Sequence, residues 1–168
     1  MTSEDIGIKI TYDDHGRVTC INTPFINRKH TFTYDDKGRL TIDSLNDSIF
    51  TYYTYDENDR VIRIKYVNNY NEIKVEEFTY NESNHLVATH VLDDSGIEYW
   101  SGYDIFGHKI YFKSIGDDGY CRIVKTEYDN DDNIVYTDTT SGNLRHEKWF
   151  NYDKDGKSYI TKETKHYL

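Results

Sequence analysis

The chain has 168 residues, a formal net charge of -10 at pH 7 and 36% hydrophobic residues, with 17 tyrosines. That length predicts one domain over residues 1–168, and the acidic balance argues against a nucleic-acid partner, because phosphate binding depends on clustered Lys and Arg. No segment reaches membrane-spanning length and the first ten residues lack a signal-peptide pattern, so we expect a cytoplasmic protein with no membrane partner.

A tyrosine followed by Asp or Asn begins a short segment that recurs along the whole chain. These tyrosines are Tyr12, Tyr34, Tyr55, Tyr80, Tyr103, Tyr128 and Tyr152. The fifth residue of each segment is of a type that readily adopts positive φ, namely Gly16, Gly38, Asp59, Asn84, Gly107, Asp132 and Gly156. A short hairpin loop needs one such residue, and the Asp or Asn after the tyrosine can accept hydrogen bonds from the turn's own amides. Each segment is therefore predicted to be a β-hairpin turn.

Strands are predicted on both sides of each turn. The residue two before the tyrosine is apolar in five of the seven copies, and the residue between them is never apolar. Lys109 and Ser158 break the apolar pattern after the turn, which indicates a local shift in register. A second set of turns lies between the motifs, at 46–48, 68–69, 93–96, 116–119 and 141–143. The whole pattern predicts an all-β antiparallel meander of about fourteen strands, in a curved open sheet with almost no helix.

The segments resemble the YD repeats of the Rhs and teneurin-like proteins, whose pattern is Tyr-Asp-x-x-Gly-Arg-Leu. The segments that begin at Tyr12 and Tyr34 read YDDHGRV and YDDKGRL and match closely, while the third has Asp59 in the glycine's place. In later copies the arginine is replaced, by His85, His108, Asn133 and Lys157.

In that family, long repeat arrays spiral into a hollow shell around a C-terminal toxin. Seven repeats are too few to enclose a toxin. The family's self-cleavage element contains an Asp-Pro step, whereas the only proline here, Pro24, follows Thr23. The resemblance therefore implies a short free-standing array, with neither toxin nor self-cleavage element.

Motifs for catalysis or for binding a cofactor are not found in the sequence. The seven histidines are scattered, and no phosphate loop, nucleophile elbow or zinc motif is present. The acidic turns at 129–132 and 153–156 could suggest calcium, but the turn geometry already accounts for their aspartates. We expect no catalytic residue, no metal and no cofactor. Cys20 and Cys121 match no metal or redox spacing, which favours buried free thiols over a long-range disulfide.

An acidic and aromatic stretch in the middle of the chain is the candidate protein-binding surface. One interpretation is a solvated face that keeps a tyrosine-rich protein soluble. The other is a docking surface for a basic protein, because aromatic anchors with a charged rim are typical of strong interfaces. The candidates are Tyr66, Tyr70, Glu72, Glu76, Asp93, Asp94, Glu98, Tyr99, Trp100, Asp117, Asp118 and Tyr120.

These features favour a non-enzymatic protein-binding module. The leading hypothesis is a cytoplasmic immunity protein that binds and neutralises a basic toxin of the Rhs type. A carbohydrate-binding or cell-surface module is the alternative, since exposed Tyr and Trp can stack on sugar rings. An enzyme is a third hypothesis, which would require titratable groups to converge in a pocket.

Overall fold

The computed structural model describes residues 7–69 and 71–168. These residues form fourteen strands and one short 3-10 turn, Pro24–Ile26. The first seven strands are β1 Lys9–Tyr12, β2 Val18–Thr23, β3 Arg28–Tyr34, β4 Leu40–Leu45, β5 Ile49–Tyr55, β6 Val61–Asn68 and β7 Asn71–Tyr80. The other seven are β8 Leu86–Asp93, β9 Glu98–Tyr103, β10 Lys109–Ile115, β11 Cys121–Tyr128, β12 Ile134–Ser141, β13 Leu144–Tyr152 and β14 Ser158–Tyr167.

Every strand is hydrogen-bonded to its neighbours in chain order, and β1 and β14 lie at the two ends of the order. The predicted fold class is confirmed: an all-β antiparallel meander of fourteen strands that is not closed. The backbone divides into two compact units, Met1–Glu76 and Glu77–Leu168. The prediction of one domain over residues 1–168 stays a prediction. No helix in the described part of the chain is long and apolar enough to cross a membrane.

All seven predicted hairpin turns are present. The fifth residue of each motif has positive φ, from 63° at Asp59 to 90° at Gly107. In the first motif, Oδ1 of Asp13 accepts hydrogen bonds from the backbone N–H groups of His15 and Arg17, each at 2.9 Å. The same pair of bonds forms at Asp35, Asp56, Asn81, Asp104, Asp129 and Asp153. The Asp or Asn therefore supports the turn, as the motif predicts.

The motif also links neighbouring repeats within each unit, which the sequence pattern alone did not predict. The guanidinium of Arg17 lies 4.7 Å from the ring centroid of Tyr34, and Arg39 lies 4.6 Å from that of Tyr55. The Tyr34 hydroxyl then donates a hydrogen bond to the carbonyl oxygen of Val18 at 2.8 Å. The tyrosine-to-carbonyl bond recurs at Tyr55–Leu40 (2.7 Å), Tyr128–Lys109 (3.4 Å) and Tyr152–Ile134 (3.0 Å).

Burial is spread thinly over many half-buried side chains. Val75, at 7% exposure, is the only well-buried apolar side chain in residues 7–69 and 71–168. Ser44, Ser101 and Asp138 are buried polar residues in the same described ranges. Half-buried tyrosines therefore replace a dry core, because a tyrosine can bury its ring and keep its hydroxyl in water or in a hydrogen bond.

Three smaller features differ in detail from the sequence predictions. The connection between β2 and β3 is a 3-10 turn that ends at Asn27, whose φ is 49°. In the first, second, third and sixth repeats the register irregularity falls directly before the motif tyrosine. In the repeat that contains Ser158 it falls between Trp149 and Phe150, two strand positions earlier, whereas in the repeat that contains Lys109 it keeps its usual place. The two cysteines, Cys20 and Cys121, are free as predicted, but each is only half-buried.

Gly16 offers a direct test of the turn prediction. A Cβ added there would meet nothing within 4 Å, so the cost of a substitution comes from its φ of 78° alone. We expect Gly16→Val to lower the free energy of unfolding by about 1–3 kcal/mol, because β-branched residues avoid this region. Gly16→Asn should cost much less, since Asn84 adopts the same conformation in the fourth motif. Urea unfolding followed by circular dichroism measures both, and equal losses would contradict the conformational explanation.

Candidate functional site

The structure separates the candidate residues into two groups. Tyr66, Glu72 and Glu76 belong to the first unit, and Tyr70 lies outside the described residues. The remaining eight belong to the second unit, namely Asp93, Asp94, Glu98, Tyr99, Trp100, Asp117, Asp118 and Tyr120.

The glutamates of the first group are already paired. Lys65 forms an ion pair with Glu72 at 2.5 Å, and Lys74 forms one with Glu76. The ammonium of Lys74 also lies 5.3 Å from the ring centroid of Tyr66. Burial, and next the carboxylate of Glu76, raise the pKa of Tyr66 above its ordinary value. Local pairing therefore offsets the negative charge that this group could offer to a partner.

Two turns of the second unit lie side by side and form an acidic edge, defined here as residues 93–96 and 116–120. A Cβ built on Gly96 would lie 3.9 Å from the Cβ of Asp117, so the two turns are neighbours. Asp93 supports its own turn, because its Oδ1 accepts the amides of Ser95 and Ile97 at 3.1 Å each. Asp94 and Asp117 are exposed, and their carboxylates face solvent.

Tyr120 completes the acidic edge. Its side chain is 53% exposed, and its hydroxyl is hydrogen-bonded to that of Ser141. Its backbone amide donates to Oδ1 of Asp118 at 2.8 Å, which fixes the residue beside the turn. A shallow groove of about 450 Å³ runs beside the ring, between residues 118–123 and 140–143. The acidic edge thus combines exposed carboxylates with a held aromatic ring next to a groove.

Glu98, Tyr99 and Trp100 are not part of the acidic edge. They are consecutive residues of β9, so Tyr99 points to one face of the sheet while Glu98 and Trp100 point to the other. The Trp100 ring lies 4.8 Å from the ring of His90, and the ammonium of Lys113 lies 4.9 Å from its centroid. The sequence grouped these residues with the turns because they are close along the chain, whereas alternation within the strand separates them.

The second unit also holds a charged cluster on the strands β12 and β13. Arg145 donates two hydrogen bonds to Asp138, each at 3.1 Å, and one to Glu147 at 3.1 Å. The Tyr136 hydroxyl donates to Oε1 of Glu147 at 2.7 Å, and this bond is the main cause that lowers the pKa of Glu147. The bond to Asp138 is the main cause that raises the pKa of Arg145. Each of these four side chains has a hydrogen-bond partner within the cluster, so we interpret the cluster as structural.

No group of three or more His, Cys, Asp or Glu in residues 7–69 and 71–168 is placed to hold a metal ion. The predictions of no metal, no cofactor and no catalytic residue stay predictions.

Comparison with known proteins gives a fold. No protein-family model matches the chain, and no curated protein matches it. Solved structures of Tc toxin proteins do match: a TcdB2–TccC3–Cdc42 complex, with a TM-score of 0.66 at 12% identity, covers 91% of this chain and 9% of that one. A Tc holotoxin pore from Photorhabdus luminescens matches with a TM-score of 0.64 at 14% identity, over 91% of this chain and 9% of that one.

A TcdB2–TccC3 structure without its hypervariable C-terminal region agrees, with a TM-score of 0.65 at 13% identity over 92% of this chain. The fold is of the Rhs/YD-repeat type. The chain spans about 9% of the length of these structural relatives.

Two residues outside the predicted surface are exposed at the tip of the fifth YD turn, between its Asp and its Gly. Ile105 and Phe106 are 65% and 78% exposed. They could have been found by comparing the same two positions across the seven copies, because only the fifth copy is apolar there. The repetition of the motif favours a scaffold role for every YD turn, so the predicted surface contains no residue of these turns.

His108 replaces the motif arginine in the same YD repeat. Its Nδ1 lies 2.9 Å from Oδ2 of Asp104, its Nε2 lies 3.1 Å from Oδ1 of Asp132, and its ring stacks on Tyr128 at 4.6 Å. It therefore makes the contacts that Arg39 makes between its own turn and the next one. The hydrogen bond to Asp104 is the main cause that raises the pKa of His108 above its ordinary value.

The histidine at the position of the motif arginine predicts that stability depends on pH, which the contacts made by arginine in the earlier repeats do not predict. A histidine with a raised folded-state pKa stabilises fully below its unfolded value of about 6.5, and the contribution is lost as pH rises through the folded value. We expect the urea midpoint of wild type to fall as pH rises above about 6.5, and that of His108→Arg to fall less. Urea midpoints of both proteins across that range measure the effect. If the urea midpoints of the two proteins change with pH in parallel, a charged His108 between these two turns is contradicted.

Proposed function

We propose that this chain is a non-enzymatic protein-binding module, an immunity protein that acts in the cytoplasm by binding and neutralising a basic toxin of the Rhs type. The observation that carries the proposal is the acidic edge, where Asp94 and Asp117 are exposed on neighbouring turns beside the ring of Tyr120. Exposed carboxylates around a fixed aromatic ring suit a basic protein surface, because interfaces combine aromatic anchors with a charged rim.

The charge of the whole chain supports the same partner class. The net charge of -10 attracts a basic protein over a distance of several ångströms and repels nucleic acid and acidic membrane surfaces. Many toxins that act on nucleic acids are themselves basic, so an acidic protein can occupy their working face. Electrostatic attraction of this kind chiefly raises the association rate.

The fold adds a link to toxins. Three solved structures with this fold are of Tc toxin proteins, and the chain is about a tenth of their length. We propose a short free-standing array that meets a toxin as a separate partner, in place of a shell that encloses one.

The carbohydrate-binding alternative is less favoured by the geometry of the tryptophans. A sugar stacks on the open face of an indole ring. The ring of Trp100 is flanked by His90 and Lys113, and the Trp149 ring has Tyr136 at 5.1 Å and the Lys162 ammonium at 4.3 Å. Neighbouring side chains therefore occupy the surfaces that a sugar would need.

Co-expression tests the proposal. The chain is produced together with the toxin domain encoded beside its gene, and growth and complex formation are measured. We expect growth to be rescued, and the two proteins to elute from size-exclusion chromatography as one complex that weakens as salt rises. If growth is rescued at a molar ratio far below one copy of this chain per toxin, the chain acts as an enzyme. Binding on a glycan array without toxin binding would favour the carbohydrate module. The absence of both rescue and complex would refute the immunity proposal.

A further inference from the structure

The fifth YD turn has an apolar tip where the other six are polar. The two tip residues are Ile105 and Phe106. The other tips are Asp14-His15, Asp36-Lys37, Glu57-Asn58, Glu82-Ser83, Asn130-Asp131 and Lys154-Asp155. Single exposed apolar residues are common on protein surfaces and need no explanation. Two adjacent ones at positions that are polar in every sister repeat are a specific departure from the scaffold.

The tip is held in place by the turn. The amides of Phe106 and His108 both donate to Oδ1 of Asp104 at 2.9 Å, and Gly107 bonds the Asp104 carbonyl at 3.1 Å. The turn is therefore the same as in the polar repeats, and the apolar residues contribute nothing to its formation. Phe106 remains 78% exposed and Ile105 65% exposed, so the fold buries only a small part of each residue. An exposed aromatic side chain has few rotatable bonds, and on a fixed turn it is the kind of group that loses little entropy on binding.

Grooves flank the tip on both sides. One, of about 450 Å³, lies between the fourth and fifth turns and includes Leu86 and Tyr103. The other, of about 210 Å³, lies between the fifth and sixth turns and includes Tyr128 and Asp132. A partner can therefore enclose Phe106 and also fill the hollows beside it, which is how an anchor residue becomes fully desolvated.

The charges around the tip indicate which partner fits. Asp131 and Asp132 on the next turn are exposed, and the Asp132 side chain retains 75% exposure beside its contact with His108. A second copy of this chain, with a net charge of -10, would bring acidic residues against acidic residues. A partner with lysines or arginines around an apolar pocket would pair with them.

We propose that Ile105 and Phe106 are the anchor through which a basic partner protein binds, by entering an apolar pocket whose rim carries Lys or Arg opposite Asp131 and Asp132. The inference rests on the proposed function for the identity of the partner, a basic toxin domain. The tip and the acidic edge lie at opposite ends of β9, a strand of six residues and so roughly 20 Å long. A standard interface covers about 800 Å² per partner, roughly 30 Å across, and can span both.

A turn swap tests the anchor. Ile105→Asp with Phe106→Lys installs the tip of the second turn, which folds in the same motif, and leaves the net charge unchanged. We expect the affinity for the toxin domain encoded beside the gene to fall by about thirtyfold or more, as for loss of a hot-spot aromatic residue. The matched control is Lys154→Asp with Asp155→Lys, which places the same two residues on the seventh turn and should bind like wild type. Circular dichroism and urea unfolding check that each variant folds, and Phe106→Ala repeats the test with one change.

The outcomes separate this inference from the proposed function. If wild type binds the toxin domain and the turn swap binds equally well, the anchor is wrong and the immunity proposal stands. If wild type does not bind that toxin domain, the immunity proposal fails, and random peptides displayed on phage and selected on wild type decide the anchor. We expect the selected peptides to combine apolar residues with Lys or Arg and to bind the turn swap at least about tenfold more weakly. Peptides that bind both proteins equally would overturn the anchor.

Discussion

Replacing Asp94 and Asp117 together by lysine is expected to slow association with a basic toxin domain by about ten- to a hundredfold. Both residues are exposed on the acidic edge, and neither carboxylate supports its own turn, which is the role of Asp93 and Asp118. The fold should therefore be unchanged. Because charge acts mainly on the encounter, we expect the dissociation rate to change less than the association rate, and the effect to shrink as salt rises.

The control for this experiment changes the same amount of charge elsewhere. Asp14→Lys with Asp36→Lys alters two exposed tip residues of the first unit and raises the net charge equally. Stopped-flow or surface-plasmon measurements at two salt concentrations give both rates for each protein. If the two double variants slow association equally, the net charge of the chain matters and the acidic edge does not.

Much of the fold could be predicted because its rules are local. A residue such as Asp59 or Asn84 in the glycine's place is explained by the few residue types that tolerate positive φ, and the Asp after each tyrosine by its hydrogen bonds to the turn. Both constraints act within five residues, so they are visible in the sequence. The meander followed because each hairpin fixes the direction of the next strand.

The contacts between repeats could not be predicted in the same way. The stacking of Arg17 on Tyr34 joins residues that belong to different hairpins, and the pattern shows the arginine without its partner. The grouping of the candidate residues in space could not be predicted for a related reason. Tyr99 and Trp100 are adjacent in sequence but lie on opposite faces of β9, whereas Gly96 and Asp117 are distant in sequence but lie on neighbouring turns.

Arg145→Met is expected to destabilise the second unit strongly at neutral pH. Asp138 and Glu147 are directly opposite each other on β12 and β13, so their side chains share one face of the sheet. Asp138 is only 8% exposed, and Arg145 is the cation that bonds both carboxylates. Without it, two like charges face each other in a poorly hydrated place. Methionine keeps most of the volume of the arginine stem, so the effect reports on charge more than on packing.

The pH dependence distinguishes this explanation from a loss of packing. In the wild type the pKa of Glu147 lies below its ordinary value. The hydrogen bond from Tyr136 is the largest cause, burial opposes it, and the charge of Arg145 lowers the pKa further. That stabilisation is present above the unfolded pKa and is lost as pH falls through the folded one. In the variant, repulsion from Asp138 raises the folded pKa of Glu147, so protonation of Glu147 relieves the repulsion and stability increases as pH falls. We expect the gap in urea midpoint between wild type and variant to be widest near pH 7 and to narrow towards pH 4.5.

Two further variants serve as controls. Arg122→Met, at an exposed arginine of β11, should leave the midpoint nearly unchanged, and adding Glu147→Gln to Arg145→Met should recover part of the loss at pH 7. A gap that stays constant with pH, with no recovery from Glu147→Gln, would show that Arg145 acts through packing alone.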